Sequence, residues 1–211
     1  MGTLTNTPKN DFYKIIAVAT MLIDHIGAIL FPEVILLRII GRLAMPVFAF
    51  GIANGAAHTN NIWRYTARLA IFGLISQIPY GLLFSGRLNI FLTLLWGLFA
   101  IVLYNKHWTL GFIMAATFYF IPNTDYGIYG TFTILSFYAL KNRPVACFAT
   151  IAAITFANSY LHGNYIQMFC LAIVPFLFAN PPAKIVLPKY FFYAAYPAHL
   201  AVLLAVKTWV L

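Results

Sequence analysis

Apolar residues run in long blocks along this chain, broken by short connections rich in Lys, Arg, Asn, Gly and Pro. A helix that crosses a bilayer needs ~20 mainly apolar residues, and fewer where it packs inside a bundle. By that measure the pattern predicts nine helices after a polar tail at 1–11. They cover residues 12–31, 34–57, 63–84, 88–104, 108–121, 126–140, 145–161, 165–179 and 189–210. Pro32 closes the first, the Ser85-Gly86-Arg87 turn the third and Pro122-Asn123 the fifth. Within the second, Gly51-x-x-x-Gly55 beside Ala49, Ala53 and Ala56 predicts close helix packing. The run from Phe12 reaches Phe31 with no small-x-small cleavage site, so it reads as a retained helix rather than a signal peptide. The expected fold is all-α, a polytopic integral membrane helix bundle forming one domain over residues 1–211.

Composition excludes a soluble reading. Only 8% of residues are charged and 63% are hydrophobic, whereas a soluble domain carries about a quarter charged. The formal charge of +9, from 13 Lys+Arg against 4 Asp+Glu, would suit nucleic acid in a soluble protein. Here its distribution gives a simpler cause. With the amino terminus in the cytoplasm, Lys9, Lys14, Arg64, Arg68, Lys106, Lys141, Arg143, Lys184 and Lys189 fall inside. Arg87 and Lys207 fall outside, with Glu33 and Asp125. That asymmetry follows the positive-inside rule, puts the carboxyl terminus outside and calls for no nucleic-acid partner. Cys147 and Cys170 lie in different apolar runs, so neither a disulfide nor a metal site is expected.

Against this background the ionisable residues inside apolar runs stand out. Asp24, His25, Arg38 and Arg42 all sit in the first two helices. Each such charge at the bilayer centre costs roughly 2.5–3.5 kcal/mol on insertion scales, so four together imply pairing and a polar cavity. His25 lies about 9 Å from the outer end of its helix and Arg42 about 12 Å from the outer end of the next, so the two can meet. Arg38 and Arg42, spaced i, i+4, share a face. Asp24 and His25 are about 100° apart on theirs, so Asp24 is expected to pair with an arginine and leave His25 facing the cavity. Ser76, Gln77, Tyr80, Asn89, Asp125 and Tyr126 reach the same outer half, and Tyr196 and His199 share a face of the last helix.

The sequence holds no Gly-rich phosphate loop, metal-ligand spacing or serine nucleophile elbow. A histidine in a membrane pocket beside arginines suits general-base chemistry on a carbonyl. The same residues suit a proton-coupled transporter, a structural ion pair beside a satisfied histidine, or a non-catalytic subunit of a pilus or secretion apparatus.

A family resemblance narrows these alternatives. Lys14-Ile15-Ile16-Ala17 through Met21, followed by Asp24-His25-Ile26-Gly27, resembles the opening motif of the TraX family of bacterial membrane proteins. So do Arg38-x-x-Gly41-Arg42 through Phe50, Tyr65-x-x-Arg68-Leu69 and Ser76-Gln77-Ile78-Pro79-Tyr80. The likeness continues through Asn89-Ile90, Asp125-Tyr126-Gly127, Gly130, Lys189-Tyr190-x-x-Tyr193 and Tyr196-Pro197-x-His199-Leu200. TraX acetylates the amino-terminal residue of pilin in conjugative systems, and the family looks like a compact relative of the membrane acyltransferase-3 superfamily. The resemblance thus implies an acyl-CoA-dependent transferase of the bacterial inner membrane. Its co-substrate would be acetyl-CoA, with no metal, and its acceptor an extracytoplasmic pilin, peptide or glycan. The implied roles make His25 the base, assisted by Arg42 and Asp24. Arg38, Ser76, Gln77, Tyr80, Asn89, Asp125, Tyr126, Tyr196 and His199 would line the tunnel. Arg64, Arg68, Lys141, Arg143 and Lys189 would meet the phosphates of CoA.

Overall fold

The structure, a computed structural model, describes residues 11–179, 181–188 and 190–210. The regular elements among them are helices: α1 (Phe12–Ile29), α2 (Ile35–Gly41), α3 (Ala44–His58), α4 (Ile62–Leu83), α5 (Ile90–Tyr104), α6 (Trp108–Thr117), α7 (Gly127–Ala139), α8 (Pro144–His162) and α9 (Phe191–Val210). Two 3-10 helices, Tyr165–Ala172 and Val174–Phe178, join α8 to α9, and a third short one, Phe118–Phe120, extends α6. Side-chain caps account for several starts. Asn61 accepts the Arg64 amide at 2.9 Å to open α4, and Asn89 accepts the Phe91 amide at 2.9 Å to open α5. Pro144 occupies the first turn of α8, where its missing N–H costs nothing, and Gly163 ends that helix at φ 64°.

Five segments are long and apolar enough to cross a membrane: Phe12–Ile29, Ile35–His58, Ile62–Leu83, Pro144–His162 and Phe191–Trp209. Leu74, Ile78 and Leu82 form an exposed i, i+4 stripe on α4, and Phe156 and Tyr160 do the same on α8. Apolar faces turned outward in this way belong against lipid. The protein is an all-helical membrane protein.

Of the shorter helices, α5 and α7 sit inside. α5 packs against α3, α4, α6 and α7, and its Leu98, Ala100 and Ile101 are buried completely or nearly so. Gly97 makes the approach to α7 possible, because a Cβ there would lie 2.5 Å from the Ile134 Cδ1. α9 closes against α4 and α1.

Three details depart from the sequence pattern. The expected second helix is interrupted at Arg42–Leu43, between α2 and α3. Pro46 lacks the N–H that would bond the Arg42 carbonyl, and its ring crowds that carbonyl, so the helix tightens before it; Leu43 N–H accordingly bonds Ile40 O at 3.2 Å. The expected eighth helix is built of 3-10 turns. At about 2.0 Å per residue, residues 165–178 reach about 28 Å, where an α-helix would reach about 21 Å. Finally, Gly51 does not mediate helix packing: nothing lies within 4 Å of a Cβ placed there, because it borders a cavity, whereas Gly55 does meet Tyr65.

The loop between α4 and α5 is tied to the loop before α7. Leu88 N–H bonds Asn123 O at 2.8 Å and Asp125 N–H bonds Leu88 O at 3.0 Å, forming a single parallel bridge. Thr93 Oγ1 donates to the Asp125 carbonyl. Tyr126 follows in the left-handed region at φ 62°, an uncommon conformation for an aromatic residue. Arg87 and Asp125 are thereby set on one rim.

The packing at Gly97 predicts that Gly97→Val destabilises the bundle by about 1–3 kcal/mol through overpacking, whereas Gly51→Ala leaves stability unchanged or slightly raised. Thermal unfolding in detergent would separate the two.

Candidate functional site

Asp24 and His25 follow one another on α1 but face different partners. Asp24 faces α2 and is 8% exposed. Its Oδ1 accepts from Arg42 Nη2 at 2.6 Å, its Oδ2 pairs with Arg38 Nη1 at 2.9 Å, and its carbonyl accepts from Arg38 Nη1 at 2.9 Å. A glycine at 41 permits this contact, since a Cβ there would fall inside the Asp24 carboxylate. Gly27 does the same on α1, where a Cβ would lie 2.6 Å from Leu37 Cβ.

Arg42 is bonded through each of its nitrogens. Besides Asp24, it donates from Nε to the Arg38 carbonyl at 3.2 Å and from Nη1 to Gln167 Oε1 at 3.3 Å. Gln167 in turn donates to the Tyr129 hydroxyl at 3.3 Å, which lies 3.3 Å from the Cys170 thiol. Asp24 and Arg42 are therefore the fixed part of the cluster. Arg38 makes both its Asp24 contacts through Nη1, and its side chain is 32% exposed.

His25 turns to α9, with Nδ1 lying 2.7 Å from His199 Nε2 and the two rings stacked at 14°. Phe84, Tyr80 and Tyr196 surround the imidazole, with ring centroids at 5.3, 6.2 and 6.2 Å.

These groups border a polar cavity of about 190 Å³, whose wall includes Asp24, His25, Arg38, Arg42, Arg87 and Asp125, with Tyr80, Tyr126 and Tyr196 beside them. Burial raises the Asp125 carboxyl to about 6, above its ordinary range, against the opposing pull of Arg42. A second, mostly apolar chamber of about 280 Å³ lies beyond it, bordered by Lys14, Gly51, Asn54, Thr59, Tyr65 and Arg68 among others. Met21, Phe48, Ile90 and Tyr196 border both. The two spaces are thus back to back across one wall of side chains. Arg68 Nε is buried with no hydrogen-bond partner among the described residues, and its guanidinium lies 5.6 Å from the Tyr65 ring centre.

Several expected residues lie elsewhere. Ser76 is wholly buried and donates to the Phe72 carbonyl at 2.6 Å, so its hydroxyl is spent within α4. Asn89 donates to Gly73 O at 2.8 Å and to Gln77 Oε1 at 2.9 Å, while Gln77 also donates to Arg87 O at 2.8 Å. Gln77 and Asn89 fasten α4 to the start of α5 and border neither cavity. His199 is not on either wall but behind His25. Of the expected phosphate-binding set, Arg68 alone borders the apolar chamber among the described residues, joined by Lys14. Arg64 and Arg143 are exposed at helix starts, and Lys141 lies over the Tyr138 ring at 5.0 Å. Lys189 falls outside the described residues.

The sequence reading missed Gln167 and Arg87. Gln167 was visible as the one amide in the apolar run 165–179. Arg87 read as a loop charge, because nothing in the sequence pairs the 85–88 turn with the loop at 123–125.

Comparison with known proteins bears on what this arrangement does. A family model described as TraX protein matches residues 9–207. The probable fimbrial assembly protein FimC, serogroup H1, of Dichelobacter nodosus is 29% identical over 235 residues, an alignment covering 92% of this chain and 93% of that protein. An uncharacterized protein of Rickettsia prowazekii (strain Madrid E) is 44% identical over 79 residues, or 37% of this chain and 30% of the other, so the match spans under a third of that relative. No solved structure matches.

The ion-pair geometry predicts the effect of removing its carboxylate. Asp24→Asn leaves two guanidinium groups without their counter-charge, and breaking a buried pair of this kind costs about 3–5 kcal/mol. The yield of monodisperse protein in detergent should fall sharply, and further than for Arg38→Gln, whose partner keeps Arg42.

Proposed function

The chain belongs to the TraX family, and from that premise we propose that it is an integral membrane acyltransferase. It moves an acetyl group from cytoplasmic acetyl-CoA to an amine or hydroxyl presented on the outer side of the bacterial inner membrane. In this reading all nine apolar segments cross, with the amino terminus inside, and the chain is a compact relative of the membrane acyltransferase-3 superfamily. The observation that carries the reading is the pair of cavities sharing the wall of Met21, Phe48, Ile90 and Tyr196. The inner chamber is bordered by Lys14 and Arg68, which loop charge assigns to the cytoplasm, and the outer cavity by Arg87 and Asp125, which it assigns to the outside. A donor and an acceptor on opposite sides need such an arrangement.

The donor arm enters the inner chamber, with Arg68 and Lys14 answering its phosphates, and brings the thioester to the shared wall. The acceptor occupies the outer cavity. His25 takes a proton from the acceptor nitrogen or oxygen as that atom attacks the thioester carbonyl carbon. The oxyanion that forms is met by Arg38, whose Nη2 and Nε make none of its contacts to Asp24. The C–S bond then breaks, and the imidazolium returns its proton to the departing sulfur. Acetylated acceptor and free CoA result, with atoms and charge in balance. Asp24 and Arg42 act by holding Arg38 and the α1–α2 contact in place. Similarity to a probable fimbrial assembly protein supports a pilin or another extracytoplasmic peptide as acceptor, with a glycan hydroxyl as the other acceptor class.

Two variants test this. His25→Ala should fold and lower transfer from labelled acetyl-CoA by about 100-fold or more; unchanged turnover would remove His25 from the chemistry. Gly51→Leu should fill the inner chamber without a clash, leaving stability intact while blocking use of the donor. Solute uptake into proteoliposomes without any acyl donor, together with no acyl transfer, would instead make the protein a permease.

A further inference from the structure

We propose that His199 is a positioning residue that sets the tautomer of His25, leaving the lone pair of that ring on Nε2. The geometry fixes a chain of donors and acceptors. His199 Nδ1 lies 3.0 Å from the Ala195 carbonyl oxygen. A carbonyl can only accept, so Nδ1 of His199 carries the proton, and in a neutral ring Nε2 is then an acceptor. That acceptor lies 2.7 Å from His25 Nδ1, so His25 carries its proton on Nδ1. The lone pair of His25 is therefore on Nε2, the nitrogen not engaged by His199, while the imidazole itself borders the outer cavity.

The surroundings offer no substitute for His199. Asp24, next along α1, is committed to Arg38 and Arg42. Tyr80, Phe84 and Tyr196 press rings, not carboxylates, around the imidazole. His199 also stands outside the cavity wall, so it holds the base from behind rather than meeting the acceptor. It does the orienting work that a carboxylate does in a Ser-His-Asp triad, through a backbone carbonyl one helical turn away in α9. Because the helix itself supplies that carbonyl, the relay adds no charge to an apolar bundle. The tautomer follows from geometry alone, and its catalytic consequence rests on the acyl-transfer reading.

The test reads the tautomer directly. In protein labelled with 15N in its histidine rings, the His25 signals, assigned by their loss in His25→Ala, should show the Nδ1–H form in the wild type. His199→Leu should shift His25 toward the Nε2–H form. His199→Gln, whose side-chain oxygen can accept from Nδ1, should restore Nδ1–H. In transfer assays His199→Leu should lower kcat about 100-fold with little change in donor KM, and His199→Gln should recover to within about tenfold of the wild type. Finding Nε2–H in the wild type, or an unchanged His25 tautomer in His199→Leu, would overturn the proposal. An Nδ1–H His25 in a protein that transfers no acyl group would leave the relay standing and reject the acyl-transfer reading instead.

Discussion

One carboxylate governs how the first helices of this bundle pack. The chain has four acidic residues, and among the described residues Asp24 alone ion-pairs with both Arg38 of α2 and Arg42 just after it. Two guanidinium groups at that depth are tolerable only where a counter-charge meets them. The need to satisfy them brings α2 onto α1 and makes glycine the residue that fits at 27 and 41. Since Asp24 must face α2, the next residue is carried about 100° around α1, and His25 arrives against α9. The cavity-lining histidine and the arginine-binding aspartate are thus consecutive residues with divided tasks.

The same demand reaches further through Arg42. Its remaining donors go to a main-chain carbonyl and to Gln167, and from there the contacts continue to Tyr129, Thr155 and Cys170. A buried polar group without a partner costs about 1–3 kcal/mol, so a guanidinium in this position requires a line of polar residues behind it. The 3-10 geometry helps to supply it, because residues three apart eclipse and Gln167 and Cys170 fall on one edge.

Much of this could be read before any coordinates. Hydrophobic block lengths gave the helical order, and helix periodicity separated Asp24 from His25 and directed it at the arginines. The expected meeting of His25 and Arg42 is only partial: both border the polar cavity, but His25 turns to His199 and Arg42 to Asp24. Other features were hidden because they depend on which segments meet. Ser76, Gln77 and Asn89 looked like cavity residues by depth, but Ser76 bonds a carbonyl within α4, and Gln77 and Asn89 bond each other and the backbone where α4 meets the start of α5. Gly51 fitted a packing motif, yet it borders the apolar chamber instead of a neighbouring helix. The effect of Pro46 on the second helix was visible in principle, though the expected span ran through it. His199 shared a helix face with Tyr196 in the pattern; its contact with His25, 174 residues away in sequence, is a product of tertiary packing.

The wall formed by Met21, Phe48, Ile90 and Tyr196 has an electrical consequence. A working inner membrane holds a voltage, and moving one charge across it takes about 2.3 kcal/mol per 100 mV. A polar recess and a mostly apolar one that meet at a single wall of side chains would shorten the distance over which that field falls. In the proposed reaction, an acetyl group crosses such a wall as a neutral passenger and does no work against the field, while the anionic carrier that delivers it stays on its own side. Under the proposed reaction, a chain this small can pass material across an energised membrane without discharging it.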